Sequence, residues 1–249
     1  MVADFYRIDL DPGNNDRTNG VHPLYPEYDW ATLSVWAWGY YRVVDYLMTL
    51  ENVDKDKIVA TGHSRGGKTA LLAGAMDTRI AVVVPAGSGA GGCGCLKYLQ
   101  GGGQTLIHIT RRDKFDYWFQ PRFRDFMRRV ERLPFDQHFL KALVAPRALL
   151  CTEGLEDEWA NPWGCQQTTE AVKEVYKFLG VPEKVGNHYR PGGHEHNEED
   201  WHALCDFADF HFYGKPLPSD FYKENFEKVE SLMKWKSSVP PNPLGDINP

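Results

Sequence analysis

Residues 62–66 read Gly62-His63-Ser64-Arg65-Gly66. A Gly-x-Ser-x-Gly run between a strand and a helix is a nucleophile elbow, a sharp turn that exposes a serine hydroxyl. The flanks fit: Ile58-Val59-Ala60-Thr61 is a short apolar run, and Lys68 to Met76 is helical in composition. Glycines on both sides of Ser64 are expected to let strand and helix approach closely. Ser64 Oγ would then stand over the N-terminus of the next helix, whose partial positive charge favours a developing anion.

A serine hydroxyl is a weak nucleophile and needs a base, itself oriented by an acid. In a fold with this elbow the chain order is Ser, acid, His. The base is assigned to His194, within Arg190-Pro191-Gly192-Gly193-His194-Glu195-His196, a Gly/Pro loop late in the chain and directly before a helix. His196 is the alternative. His202 and His211 fall in a helix and read as structural. The acid should follow a late strand. The segment Thr152-Glu153-Gly154-Leu155-Glu156-Asp157-Glu158-Trp159 follows the apolar run Ala148–Cys151 and offers four carboxylates, which the residues alone do not separate.

These positions require alternating strands and helices. Strands are expected at residues 2–10, 58–61, 80–85 and 148–152. Helices are expected at 30–50 (capped by Asp29), 68–76, 168–179, 201–212 and 221–235, with loop at 11–28 and 86–103 and an extended tail over 236–249. The alternation indicates a mostly parallel α/β sheet flanked by helices, in one domain covering 1–249. Only 57 residues precede Ile58, whereas the usual α/β hydrolase places four strands before the elbow strand. The sheet is therefore expected to lack N-terminal strands, and with them the loop that ordinarily supplies a second oxyanion N–H.

The chain has 249 residues, 42% of them hydrophobic and 25% charged, which is ordinary globular composition. Lys and Arg number 28 against 34 Asp and Glu, so no basic face for nucleic acid is expected. No apolar run approaches the ~18 residues of a membrane span, and the first residues lack the pattern of a signal peptide. Eight tryptophans can build a core or line a sugar cleft. The five cysteines, Cys93, Cys95, Cys151, Cys165 and Cys205, are an odd number. Cys93-Gly94-Cys95 has no companion pair at zinc-ligand spacing, so buried thiols with at most one disulfide, and no metal, are expected.

Several separated segments, in order, resemble the glucuronoyl esterases, a family of carbohydrate esterases with the α/β-hydrolase fold. They are Gly62–Ala70, Gly87-Ser88-Gly89-Ala90-Gly91-Gly92, Leu133–His138, Ala145-Pro146-Arg147, Glu156–Pro162 and Gly192-Gly193-His194. The resemblance runs from about Tyr28 to Gly214. It implies Ser64 as nucleophile, His194 as base and no cofactor. Many fungal members carry their acid just before the Ser-Gly-x-Gly-Gly segment, where this chain has Gly87. Bacterial relatives use an acid in the 156–159 segment, which implies Asp157, with Glu153 and Glu156 the alternatives. The resemblance further implies Arg65 as an oxyanion donor and Lys68 and Trp159 as sugar contacts. Gln104, His138 and Trp118 are expected in the cleft, with core or loop roles the alternative. The implied substrate is an ester of (4-O-methyl-)glucuronic acid in lignin-glucuronoxylan cross-links, met in a secreted or periplasmic setting. Acetyl xylan esterase activity, or carbohydrate binding without turnover, are the competing readings. The oligomeric state is not legible.

Overall fold

The structure is a computed structural model describing residues 1–14, 16–217 and 220–230. Four strands, β1 (Val59–His63), β2 (Val82–Ala86), β3 (Ala148–Gly154) and β4 (Val185–Arg190), form a parallel sheet in the order β1-β2-β3-β4. β2 and β3 are buried along their whole length, as strands covered on both faces must be. The helices are α1 (Arg7–Leu10), α2 (Thr32–Thr49), α3 (Arg65–Met76), α4 (Leu106–Ile109), α5 (Gln137–Ala142), α6 (Pro162–Phe178) and α7 (Glu198–Tyr213).

Alternation along the strands sorts the core into two layers. Val83, Leu149 and Cys151 face Val44 of α2, Leu71 of α3 and Val172 and Tyr176 of α6. Val82, Val84, Ala148 and Leu150 face Ala203 and Phe207 of α7, together with Phe221. Each fully buried Val or Leu contributes about 1.5–3 kcal/mol, so this double coverage dominates the stability of the sheet. The register aligns His63 with Ala86, Thr152 with His188 and Gly154 with Arg190. The C-terminal ends of β1, β3 and β4 therefore share one rim, where open α/β sheets bind their ligands.

The observed elements depart from the sequence-based expectation in several places. Residues 2–10 contain the single helical turn α1 instead of a strand. Phe5 packs edge-on against Tyr40, 5.3 Å between ring centres, and a Cβ at Gly39 would fall 2.5 Å from the Phe5 ring. This segment thus docks on α2 and pairs with no strand. α2 starts at Thr32 with Ala31, not Asp29, at its N-cap. α6 starts six residues before the expected helix, at Pro162, where the Asn161 side chain accepts the Gly164 N–H. β4 was not foreseen. No α-helix forms over 221–230, and the rest of the expected 221–235 helix, like the 236–249 tail, lies outside the described residues. Among the described residues no strand precedes β1, which leaves the elbow strand at the sheet edge.

Candidate active site

β1 ends at His63 and α3 begins at Arg65, so Ser64 alone makes the turn. Its φ of 57° and ψ of −118° are strained for a residue with a side chain. Backbone bonds on either side hold it: Ser64 N donates to Ala86 O at 2.9 Å, and Lys68 N donates to Ser64 O at 3.1 Å. The close approach falls on Gly62 and Gly67, where an added Cβ would come within 2.5 Å of Gly66 O and 2.7 Å of Ala86 O. Gly66, expected to share this role, faces open space. α3 has turned far enough by its second residue for a side chain there to point away from the strand.

His194, on the loop between β4 and α7, reaches this turn. Its Nε2 lies 2.9 Å from Ser64 Oγ and its Nδ1 2.6 Å from Asp157 Oδ2. An ionised Asp157 can only accept, so the proton sits on Nδ1 and the Nε2 lone pair faces the serine hydroxyl. Asp157 is buried, and its Oδ1 accepts the Ala160 N–H at 3.1 Å. That turn aims the carboxylate. The other three acids are placed elsewhere. Glu156 is exposed and accepts the Gly192 N–H. Glu158 is exposed beside Gly102 N. Glu153 is fully buried on β3 with neither oxygen hydrogen-bonded, and burial pushes its carboxyl well above the usual range.

A cavity of about 250 Å³ opens beside Ser64 and His194, lined by Arg65, Lys68, Gln104, Trp118 and Trp159. Arg65 is exposed, and its guanidinium carbon lies 5.6 Å from the centre of the Trp118 ring. Its backbone N–H, first in α3, has no helical acceptor and is aimed with the helix dipole. Lys68 is buried and donates to Ser88 O, to Ala90 O at 2.7 Å and to Gln104 Oε1 at 3.5 Å. Burial pushes its ammonium down to about 7. Gln104 N in turn donates to Trp159 O at 3.0 Å. Trp159 remains 43% exposed and can offer a ring face to a ligand. A second cavity of about 480 Å³ meets Ser64 from the side of Asp4, Arg7 and Trp36. The largest, about 610 Å³ and apolar, is lined by Leu33, Phe123 and Phe139 and does not include Ser64. It shares Lys68 and Trp118 with the 250 Å³ cavity, so an apolar space adjoins the polar site.

His138 does not come to this site. It sits on α5, its ring packed on Phe139 at 4.7 Å, and lines neither cavity at Ser64. α5 lies against α3 and α6 on the face of the sheet, which carries His138 away from the rim.

The family sequence model described as glucuronyl esterase, fungi, matches residues 6–180, well over half of the chain. The chain belongs to the glucuronoyl esterase family. It is 36% identical over 236 residues to a carbohydrate esterase from an unknown prokaryotic organism, covering 86% of this chain and 54% of that protein. It is 36% identical over 194 residues to a 4-O-methyl-glucuronoyl methylesterase of Wolfiporia cocos, covering 72% of this chain and 48% of that one. The chain thus spans about half the length of these curated relatives. A glucuronoyl esterase of carbohydrate esterase family 15 from Caldicellulosiruptor kristjansonii superposes with a TM-score of 0.88 at 34% identity, over 93% of this chain and 65% of that one. The α/β-hydrolase fold follows from that likeness and from the parallel, helix-flanked sheet.

In this family member three further residues shape the site, and the sequence did not single them out. Arg190, at the end of β4, is buried, with Nε 2.7 Å from Asp200 and Nη1 3.1 Å from Glu195. Asp200 also accepts the Asn197 N–H, so this pair ties the His194 loop to the start of α7. The ring of His63 lies 4.8 Å from that of His194 and stacks on His196 at 5.5 Å. The alternative base, His196, is thereby occupied in a stack on His63 and a tilted contact with Trp201, 5.0 Å away. The Arg190-Pro191-Gly192-Gly193 run just before His194 is the signal in the sequence that could have pointed to an anchored loop.

Proposed function

We propose that this chain is a serine esterase that hydrolyses esters of glucuronic acid or its 4-O-methyl ether. The observation that carries the proposal is the hydrogen-bonded series Ser64 Oγ, His194 Nε2, His194 Nδ1, Asp157 Oδ2, drawn from three distant segments. Ser64 attacks the ester carbonyl while His194 takes its proton. Asp157 keeps the imidazole in the required tautomer and stabilises its cation. The oxyanion is received by the Arg65 N–H and by the guanidinium of the same residue, a charged donor that is stronger than a neutral one. His194 then protonates the departing alcohol, and water, activated by the same imidazole, releases the uronic acid. These steps use side-chain and backbone groups of this chain at every proton transfer.

The sugar is assigned to the cavity between Lys68, Gln104 and Trp159, with Trp159 offering a face and Gln104 a polar edge. Relatives named 4-O-methyl-glucuronoyl methylesterases support this substrate class. So does a related structure, a mutant of the Sporotrichum thermophile glucuronoyl esterase, in complex with methyl 4-O-methyl-β-D-glucopyranuronate. The natural ester is assigned to lignin-glucuronoxylan cross-links and the setting to a secreted or periplasmic one. No helix among the described residues is long and apolar enough to cross a membrane. The test compares hydrolysis of methyl 4-O-methyl-glucuronate with release of acetate from acetylated xylan. The proposal expects turnover of the first and little of the second, and the reverse preference would refute it.

A further inference from the structure

A second cluster of ionisable side chains lies in the core, and the proposed reaction does not use it. Cys93 closes the loop after β2, Cys151 is mid-way along β3, and Cys165 is in the first turn of α6. Their three Sγ atoms lie within 4.8 Å of one another, Cys93 and Cys151 only 3.3 Å apart, and all three residues are fully buried. Hydrogen bonds from outside the cluster fix the backbones. Cys93 N donates to Ser88 Oγ at 2.8 Å, and Cys93 O accepts from Thr168 Oγ1 at 2.6 Å. Nothing in the order of residues announces this cluster, because the three cysteines share no ligand spacing. The eye-catching pair, Cys93 and Cys95, is split: Cys95 Sγ turns to Asp136 at 3.1 Å.

Lys141 of α5, also fully buried, points into the cluster. Its Nζ is 2.7 Å from Thr169 Oγ1, 3.1 Å from Cys165 O and 3.7 Å from Cys165 Sγ. These partners are a hydroxyl, a carbonyl and a sulfur; none is a carboxylate. A buried ammonium left without a counter-charge is strongly unfavourable. Glu153, on the same face of β3, makes no hydrogen bond to this ammonium, since neither of its oxygens has a partner. The ionisable group beside the ammonium is the Cys165 sulfur, 3.7 Å away, and it is the one placed to carry a compensating negative charge. Three converging sulfurs beside a fixed cation make a soft, anionic and water-free donor set.

We infer that Cys93, Cys151 and Cys165 bind one soft monovalent cation of the copper(I) class, with Lys141 as the fixed balancing charge. Soft thiolates select such ions. Structural zinc takes four ligands, and among the described residues this group offers three. The charges close. One thiolate, two thiols and the ammonium sum to zero before binding. Afterwards one cation, two thiolates, one thiol and the ammonium again sum to zero, so binding releases one proton. The ion would join β3 and α6 to the loop that lines the Ser64 cavity and whose Ser88 carbonyl accepts Lys68. This inference is independent of the esterase reading.

The test uses the full chain, reduced and without oxygen, competing for copper(I) against bathocuproine disulfonate. One equivalent is expected to stay on the protein, unchanged in C205S, which alters the exposed cysteine. C165A is expected to weaken binding by more than the roughly 10- to 100-fold that loss of a mere outer partner costs. Because C165A opens the core, X-ray absorption on the wild-type complex gives a second reading, with sulfur as the only near neighbour of copper. The inference is overturned if the wild-type chain retains no copper(I), whether it is added to folded protein or present during refolding. Undiminished binding in a folded C165A, nitrogen or oxygen neighbours in the absorption spectrum, or binding of zinc(II) but not copper(I) would overturn it equally.

Discussion

The ring of His63 rests 4.8 Å from that of His194, on the side where Gly87 has no side chain to compete for the space. A Cβ at Gly87 would stand 3.3 Å from His63 Nε2 and 3.6 Å from His194 Cε1. The base is thus held at one edge by a carboxylate and on its flank by an imidazole, His63, that precedes the nucleophile by one residue. Burial, with the neighbouring His194 and His196, holds His63 below its ordinary range and so uncharged near neutrality. A charge at that point would oppose the imidazolium that His194 becomes during attack. H63A is expected to lower kcat by roughly 10- to 100-fold through misplacement of the base, with little change in KM. Steady-state kinetics on a methyl glucuronate ester check this, and an unchanged kcat would remove His63 from any positioning role.

The four neighbouring carboxylates should separate cleanly on substitution. D157N removes the charge that fixes the His194 tautomer and is expected to lower kcat on the order of 10⁴-fold, the loss known for the same change in a Ser-His-Asp triad. E158Q should stay close to wild type, because its carboxylate touches only the exposed Gly102 N–H. Equal losses in both variants would point to a loop collapse instead of a missing triad acid.

Arg65 is expected to act on the transition state more than on the ground state. R65A keeps the backbone N–H and removes the charged donor, so a loss of about 100- to 1,000-fold in kcat at nearly constant KM is predicted. A change confined to KM would make Arg65 a substrate clamp.

Stability should depend on pH through two sets of buried groups that act in opposite directions. His63, His138, His188 and His196 are held down by burial, and His211 is pushed to about 4. The unfolded chain therefore takes up protons first, and stability is lost as pH falls below the ordinary imidazole value of ~6.5 toward these lowered ones. Glu153 is raised by burial, so its contribution is complete below the ordinary carboxyl value and is lost as pH rises toward its folded-state value. E153Q cannot ionise and should raise the melting temperature at pH 8 while changing it little at pH 4. Thermal unfolding across that range checks the sign; destabilisation at pH 8 would mean that Glu153 is a needed anion.

Much of this arrangement could be read from the residues, where local chemistry and tertiary structure agree. β1, the elbow, α3, β2 and β3 are apolar runs with a glycine-bounded turn, and nothing competes with that pattern. β4 was hidden because Val185-Gly186-Asn187-His188-Tyr189-Arg190 contains residue types that are poor in strands. It forms through pairing with β3 and through Asn187 N donating to Phe221 O at 2.8 Å, a contact no local window contains. The residue types alone do not separate Asp157 from Glu153 and Glu156; only the family resemblance points to Asp157, because the choice depends on loop register. The Ala160 N–H that aims Asp157 depends on the 3₁₀ turn at Glu158–Ala160. The thiol cluster was invisible for the same reason, its three members being brought together only by the packing of α6 on β3.

Covalent trapping reports directly on whether Ser64 is a nucleophile activated by His194. A serine-directed phosphonate is incubated with the chain, and the adduct is located by peptide mass spectrometry. The expectation is one phosphonyl group per chain, on Ser64, formed together with loss of methyl glucuronate hydrolysis, and no labelling in S64A or H194A. Full ester hydrolysis by S64A, or an adduct formed as fast in H194A as in the wild type, would contradict it.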